Sequence, residues 1–168
     1  KQSNKIKNIF TYVLKGHIAV ANSNLNRLKS AHLIDSLARK FLKKHGLDYP
    51  HGTGHGVGYF LNVHEGPIAI SKGYKIKLKP GNVISNEPGF YKKGKFGIRI
   101  ENMIYVKQIK SKVFFENLTM VPIDKELINF NLLNRNEKNY LLNYNLRIYS
   151  NVEKYLNYKE KFWLLSQF

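Results

Sequence analysis

The decisive stretch is His51-Gly52-Thr53-Gly54-His55-Gly56-Val57-Gly58. Two histidines four residues apart would share one face of a helix, but glycine at every second position rules a stable helix out. The stretch therefore reads as strand or loop, in which glycine lets the backbone approach a neighbour closely while the histidines project towards it. No G-x-G-x-x-G register fits, so it is not a dinucleotide fingerprint. His64-Glu65 is not a zincin motif either, because position 68 is Ile rather than His. A lone histidine is more often structural; three, at 51, 55 and 64, in one glycine-rich stretch point to a site.

Further along the chain, Asn86-Glu87-Pro88-Gly89 is a turn signal that would hold a carboxylate at a strand end. Taken alone, Glu87 reads as a solvated turn residue. In Gly97-Ile98-Arg99-Ile100-Glu101 side chains alternate, so Arg99 and Glu101 share one strand face and Ile98 and Ile100 the other. Apolar Met103 to Val106 argues that this strand is buried, and a buried carboxylate needs a partner or a metal. The plainer alternative is a surface Arg–Glu pair.

Around this glycine-rich centre the pattern is helical on both sides. Leu33, Ile34, Leu37, Ala38, Phe41 and Leu42 recur at three- and four-residue spacing, with Arg39, Lys40, Lys43 and Lys44 outward and Gly46 as the stop. An earlier helix is expected over Phe10 to Ala21. Residues 51–123 read as sheet with turns, ending in a short edge-like strand at Met120-Val121-Pro122-Ile123. Asn134 with Glu137 reads as a capping box opening a helix to about Tyr149, followed by another from Val152 towards Leu165.

The 168 residues suffice for one domain, or a domain with an appendage, and 43% apolar with 23% charged residues is ordinary for a soluble globular protein. No run approaches the roughly 20 apolar residues that span a bilayer. Residues Lys1 to Ala21 fail as a signal peptide, since their apolar run is short and followed by Lys15 and His17. The first residue is Lys, consistent with truncation or processing. The absence of cysteine excludes disulfides, zinc–thiolate sites and cysteine nucleophiles, and a cytoplasmic location is expected. A net charge of +17 raises nucleic-acid binding, but the basic residues are spread along the chain without a recognition motif. A solvated basic surface is the reading taken, with no nucleic acid and no membrane as partner.

The run from Phe10 to Val106 resembles the Xaa-Pro aminopeptidases (aminopeptidase P), metallopeptidases of the pita-bread fold. The resemblance implies an α/β (α+β) fold: residues 1–123 as the C-terminal half of a pita-bread catalytic domain, and 124–168 as a short helical C-terminal extension. It implies a hydrolase that releases an N-terminal residue preceding proline, with two divalent metal ions, Mn first and Co or Zn as alternatives. By it, His55, Glu87 and Glu101 match metal ligands, and His17, His51, His64 and Arg99 match substrate-side groups. Glu87 would orient or deprotonate the attacking water, with His64 and His17 as further catalytic groups.

The family's two aspartate ligands lie N-terminal to the segment matching His17, upstream of everything present here. Asp35 is expected on a solvated helix face and Asp48 in a turn, and neither substitutes on spacing. The chain is therefore expected to be a fragment or one part of a split enzyme, partnered by an N-terminal half or by itself as a homodimer. Tyr140, Leu141, Tyr144 and Trp163 are the expected dimer surface. The substrate would be a peptide with proline second. The alternative is an inactive pita-bread remnant that binds peptide ends or a protein partner.

Overall fold

The computed structural model describes residues 2–28, 30–60 and 62–168. It is α+β throughout, with helices at both ends and short antiparallel strands between them. The chain divides into two compact units, Tyr12–Thr119 and a second made of Lys1–Thr11 with Met120–Phe168.

In the first unit, helix α1 (Asn4–Ala21) contributes its part from Tyr12 onward, and α2 (Ala31–Lys43) shows the periodicity its sequence predicts. Strands β1 (Gly54–His55) and β2 (Ala69–Ile70) pair antiparallel. Strands β3 (Val83–Asn86), β6 (Asn102–Ile109) and β7 (Lys112–Asn117) form a three-stranded antiparallel sheet in the order β3-β6-β7. Strands β4 (Gly89–Lys92) and β5 (Phe96–Arg99) make a hairpin that pairs Gly89 with Arg99. A single bridge, Gly56 to Ile84, ties the β1 segment to β3.

Inward-facing residues close one core: Val20, Ile34 and Ala38 from the helices pack with Ile70, Ile84, Ile104, Val106 and Phe115 from the strands. On β6 the alternation is clean, with Asn102, Ile104 and Val106 buried and the residues between them partly exposed. The result holds the ends of β1, β3 and β5 together, which is where the histidines and carboxylates sit.

The second unit is built on α3 (Arg135–Val152) and α4 (Tyr158–Ser166). Both open with a capping box: Asn134 with Glu137, as expected, and Asn157 with Glu160. Tyr144, Ile148 and Leu164 are its centre.

Several expectations need correction. Met120 to Ile123 is not a strand; the segment has no ladder partner, and Pro122 has no N–H to offer one. Asp35 is not solvated but 1% exposed, held by Arg39 and Thr53. Glu101 is exposed and off the strand, because the chain leaves the ladder at Ile100, whose N–H bonds to Pro88 O. Of the expected dimer surface, Leu141 and Tyr144 are buried in their own unit, where Tyr144 donates to Val121 O, while Trp163 is 61% exposed.

Candidate metal centre

His55 enters on β1, where the glycines are demanded by crowding. A Cβ on Gly54 would stand 2.0 Å from Ser85 O, so only glycine lets β1 lie against the end of β3. That approach puts His55 N–H on Ser85 Oγ at 2.9 Å, and Ser85 Oγ in turn donates to Glu87 Oε1 at 2.9 Å. Ser85 thus orients both the histidine backbone and the carboxylate. The Glu87 N–H donates to Thr53 O at 2.8 Å, which fixes the backbone of the carboxylate against the glycine-rich stretch.

His55 Nδ1 lies 2.9 Å from Gly56 O, a contact only an N–H can make, which leaves Nε2 as the ring nitrogen turned to the cluster. Nε2 faces Glu87 Oε1 at 3.2 Å. One ligand atom from each of His55, Glu87 and Glu101 lies within 4.8 Å of the other two. Glu87 is 8% exposed, and the cation facing it is Arg99, whose Nη1 is 3.7 Å from Oε2. Two carboxylates converging on one point repel one another unless a cation or proton sits there. The donor set, oxygen-rich with one imidazole, suits a divalent cation.

Beside this cluster is a cavity of about 380 Å³ lined by His51, His55, His64, Glu87 and Arg99 among others. The His64 ring stands 4.1 Å from that of His55. His51 Nδ1 donates to Gly52 O at 2.7 Å, so its Nε2 accepts from Tyr91 Oη at 2.8 Å. Tyr91 Oη accepts in turn from Arg99 Nε at 2.8 Å. That bond, helped by the Glu87 and Glu101 charges, raises the guanidinium above its ordinary value, so Arg99 is a fixed positive charge at the rim. Sequence reasoning missed Tyr91 and Ser85. Tyr91 pairs with Gly97 across the β4–β5 hairpin, two positions from Arg99, a relation visible only once the register is known.

His17 departs from the expected set. Its ring is 0% exposed, does not line this cavity, and neither ring nitrogen has a hydrogen bond of normal geometry. Its carbonyl accepts from Asn86 Nδ2 at 3.0 Å. Burial pulls the imidazole down to about 4, against weaker opposing pulls from the Ile100 and Asn86 backbone. An unfolded His17 takes a proton below about 6.5, which the folded form refuses until about 4. Its contribution is therefore complete above pH 6.5 and lost as pH falls towards 4, a swing of about 3 kcal/mol. Urea unfolding across that range should show a steeper acid loss for the unaltered chain than for His17→Gln; equal slopes would refute this.

The α+β arrangement is that of the pita-bread metallopeptidases. The chain belongs to metallopeptidase family M24, whose model matches residues 1–108, while the C-terminal region of peptidase M24 matches 113–167. A Botryotinia fuckeliana relative named "Probable Xaa-Pro aminopeptidase P" is 50% identical over 160 residues, 89% of this chain and 24% of its own length. One of the same name from Sclerotinia sclerotiorum is 49% identical over 160 residues, 89% of this chain and 27% of the relative.

The crystal structure of an X-prolyl aminopeptidase from Caenorhabditis elegans, described as a cytosolic enzyme with a di-nuclear active site, superimposes with a TM-score of 0.89. The two are 38% identical over 99% of this chain and 29% of that one. The X-Pro aminopeptidase of Thermotoga maritima gives 0.62 at 35% identity, over 73% and 33%. The chain spans about a quarter of the length of the curated relatives it matches. Among the described residues no helix is long and apolar enough to cross a membrane.

Proposed function

We propose that this chain supplies the His–Glu–Glu side of a two-metal aminopeptidase that removes an N-terminal residue preceding proline, with Mn as the working metal in the cytoplasm. The observation that carries this is the convergence of His55 Nε2 and the carboxylates of Glu87 and Glu101, in a family whose members are metallopeptidases. The names of the fungal relatives and the di-nuclear site ascribed to the nematode enzyme support the substrate and the metal count. Residues 1–123 are read as the catalytic portion and 124–168 as its extension.

His55, Glu87 and Glu101 would hold the ions, which when bound polarise the scissile carbonyl and lower the pKa of the attacking water. Glu87, steered by Ser85, orients that water and takes its proton. Arg99, charged at any working pH, balances the carboxylate that gains and loses that proton. His51 and His64, on the cavity wall, hydrogen-bond the substrate, His51 being steadied by Tyr91. His17, sealed in the interior, is left out of the catalytic set.

Two further aspartate ligands must come from outside this sequence. Asp35 is committed to Arg39 and Thr53, and Asp48 to Arg39. Mixing this chain with a candidate N-terminal half and Mn should hydrolyse an Xaa-Pro-Xaa tripeptide, while the chain alone should not. Activity of the chain alone would show that the missing pair is dispensable. Silence of a folded mixture would favour the second reading, a peptide- or protein-binding remnant, which the committed state of both aspartates makes worth testing.

A further inference from the structure

Asp35 and Arg39 are four residues apart on α2, remote in sequence from every ligand of the candidate centre, and yet both are buried. The Asp35 carboxylate spends one oxygen on Arg39 Nε at 2.9 Å and the other on Thr53 Oγ1 at 2.6 Å. The Arg39 fork reaches Asp48 Oδ1 at 2.7 Å, Tyr49 O at 2.8 Å and His51 O at 2.5 Å. Its guanidinium also lies 4.0 Å over the Tyr49 ring, and Tyr49 Oη meets Thr53 Oγ1 at 2.5 Å. Apart from each other, every hydrogen-bond partner named lies in residues 48–53, the segment that leads into His55.

A buried ion pair gains little stability over a well-packed apolar one, so its value lies in what it fixes. Here it fixes backbone acceptors: a planar five-donor fork suits several carbonyls at once in a way an ammonium does not. Thr53 is the relay. Its hydroxyl is held by Asp35 and Tyr49, its N–H by Ile70 O at 2.7 Å, and its carbonyl receives Glu87 N–H at 2.8 Å.

We propose that the Asp35–Arg39 pair is a positioning device for the candidate centre. It sets the backbone of His51 directly and, through Thr53, the backbone of Glu87, so that the carboxylate meets His55 at the ligand distance. The pair touches neither substrate nor metal. Its metal readout rests on the function proposed above; its backbone readout does not.

The test compares Asp35→Asn and Arg39→Lys with Val106→Ala, a core change away from the site, in the full chain. Amide exchange is followed at His55 and Glu87, with Ile104 and Val106 as references, and Mn affinity by calorimetry. Asp35→Asn and Arg39→Lys should speed exchange at His55 and Glu87 about tenfold over the reference amides. They should also weaken Mn binding by about tenfold or more. Val106→Ala should speed all these amides alike and leave the affinity unchanged.

Unaltered exchange at His55 and Glu87 in Asp35→Asn, or the same selective pattern in Val106→Ala, would overturn the proposal. If Asp35→Asn does not fold, Thr53→Val removes the relay hydroxyl at similar shape and carries the same exchange test. A chain that binds no Mn at all would count against the proposed function, and the exchange pattern would still decide the positioning role.

Discussion

Glu87→Gln is expected to weaken Mn binding by at least about a hundredfold while leaving the fold intact, since changing even an outer partner of a ligand costs about 10–100-fold. Glu87 Oε1 accepts from Ser85 and faces His55 Nε2, and Oε2 faces Arg99. Glutamine keeps the shape, can place its amide nitrogen towards His55 Nε2, and leaves its oxygen for Arg99. That orientation removes the acceptor of the Ser85 hydroxyl, so the variant loses the carboxylate charge and one hydrogen bond together. Calorimetric titration with Mn, beside a denaturation curve, checks this. An affinity unchanged in a folded variant would mean that Glu87 is not a ligand.

Gly54→Ala should have the largest effect on stability. The added Cβ meets Ser85 O at 2.0 Å and Ser85 C at 3.0 Å, both backbone, so no side chain can yield. Separating β1 from β3 would cost the His55 N–H to Ser85 bond and the Gly56–Ile84 bridge as well. Overpacking of this kind costs about 3 kcal/mol or more. In a unit of this size that is a fall in Tm of about 12 °C or more. Gly52→Ala, whose Cβ meets chiefly the Ser71 side chain at 3.3 Å, should cost far less. Thermal unfolding of the two variants side by side makes the comparison, and equal melting points would contradict it.

The glycine-rich stretch was legible because its glycines answer to a local cause, the close passage of two backbones, and leave a trace in composition. The Asn134–Glu137 box was legible for the same reason: capping is a contact between residues three apart. The buried state of Asp35 was not. On its helix it looks like a polar position, and the groups that neutralise it include Thr53, eighteen residues on in a different element. Glu101 misled in the opposite direction. Alternation placed it on a buried strand, but the ladder stops at Arg99 and resumes at Asn102, leaving Glu101 exposed.

His17 shows how far motif matching carries. The resemblance picks out His17, but a position in a motif does not say whether a ring faces the cavity or the core. Burial decides that, and here the ring is sealed. Ser85 and Tyr91 illustrate the complement. Each is an ordinary strand residue in sequence, and each gains its place only through strand pairing that brings His55 or Arg99 alongside.

The central claim, that His55, Glu87 and Glu101 converge on one cation, is tested most directly by paramagnetic NMR of this chain during titration with Mn. Sub-stoichiometric Mn should broaden the His55 ring signals and the Glu87 and Glu101 amides first, with His32 and His45 unaffected. Broadening that begins at other histidines or spreads evenly over the surface carboxylates, or that persists at His55 in Glu87→Gln, would contradict it.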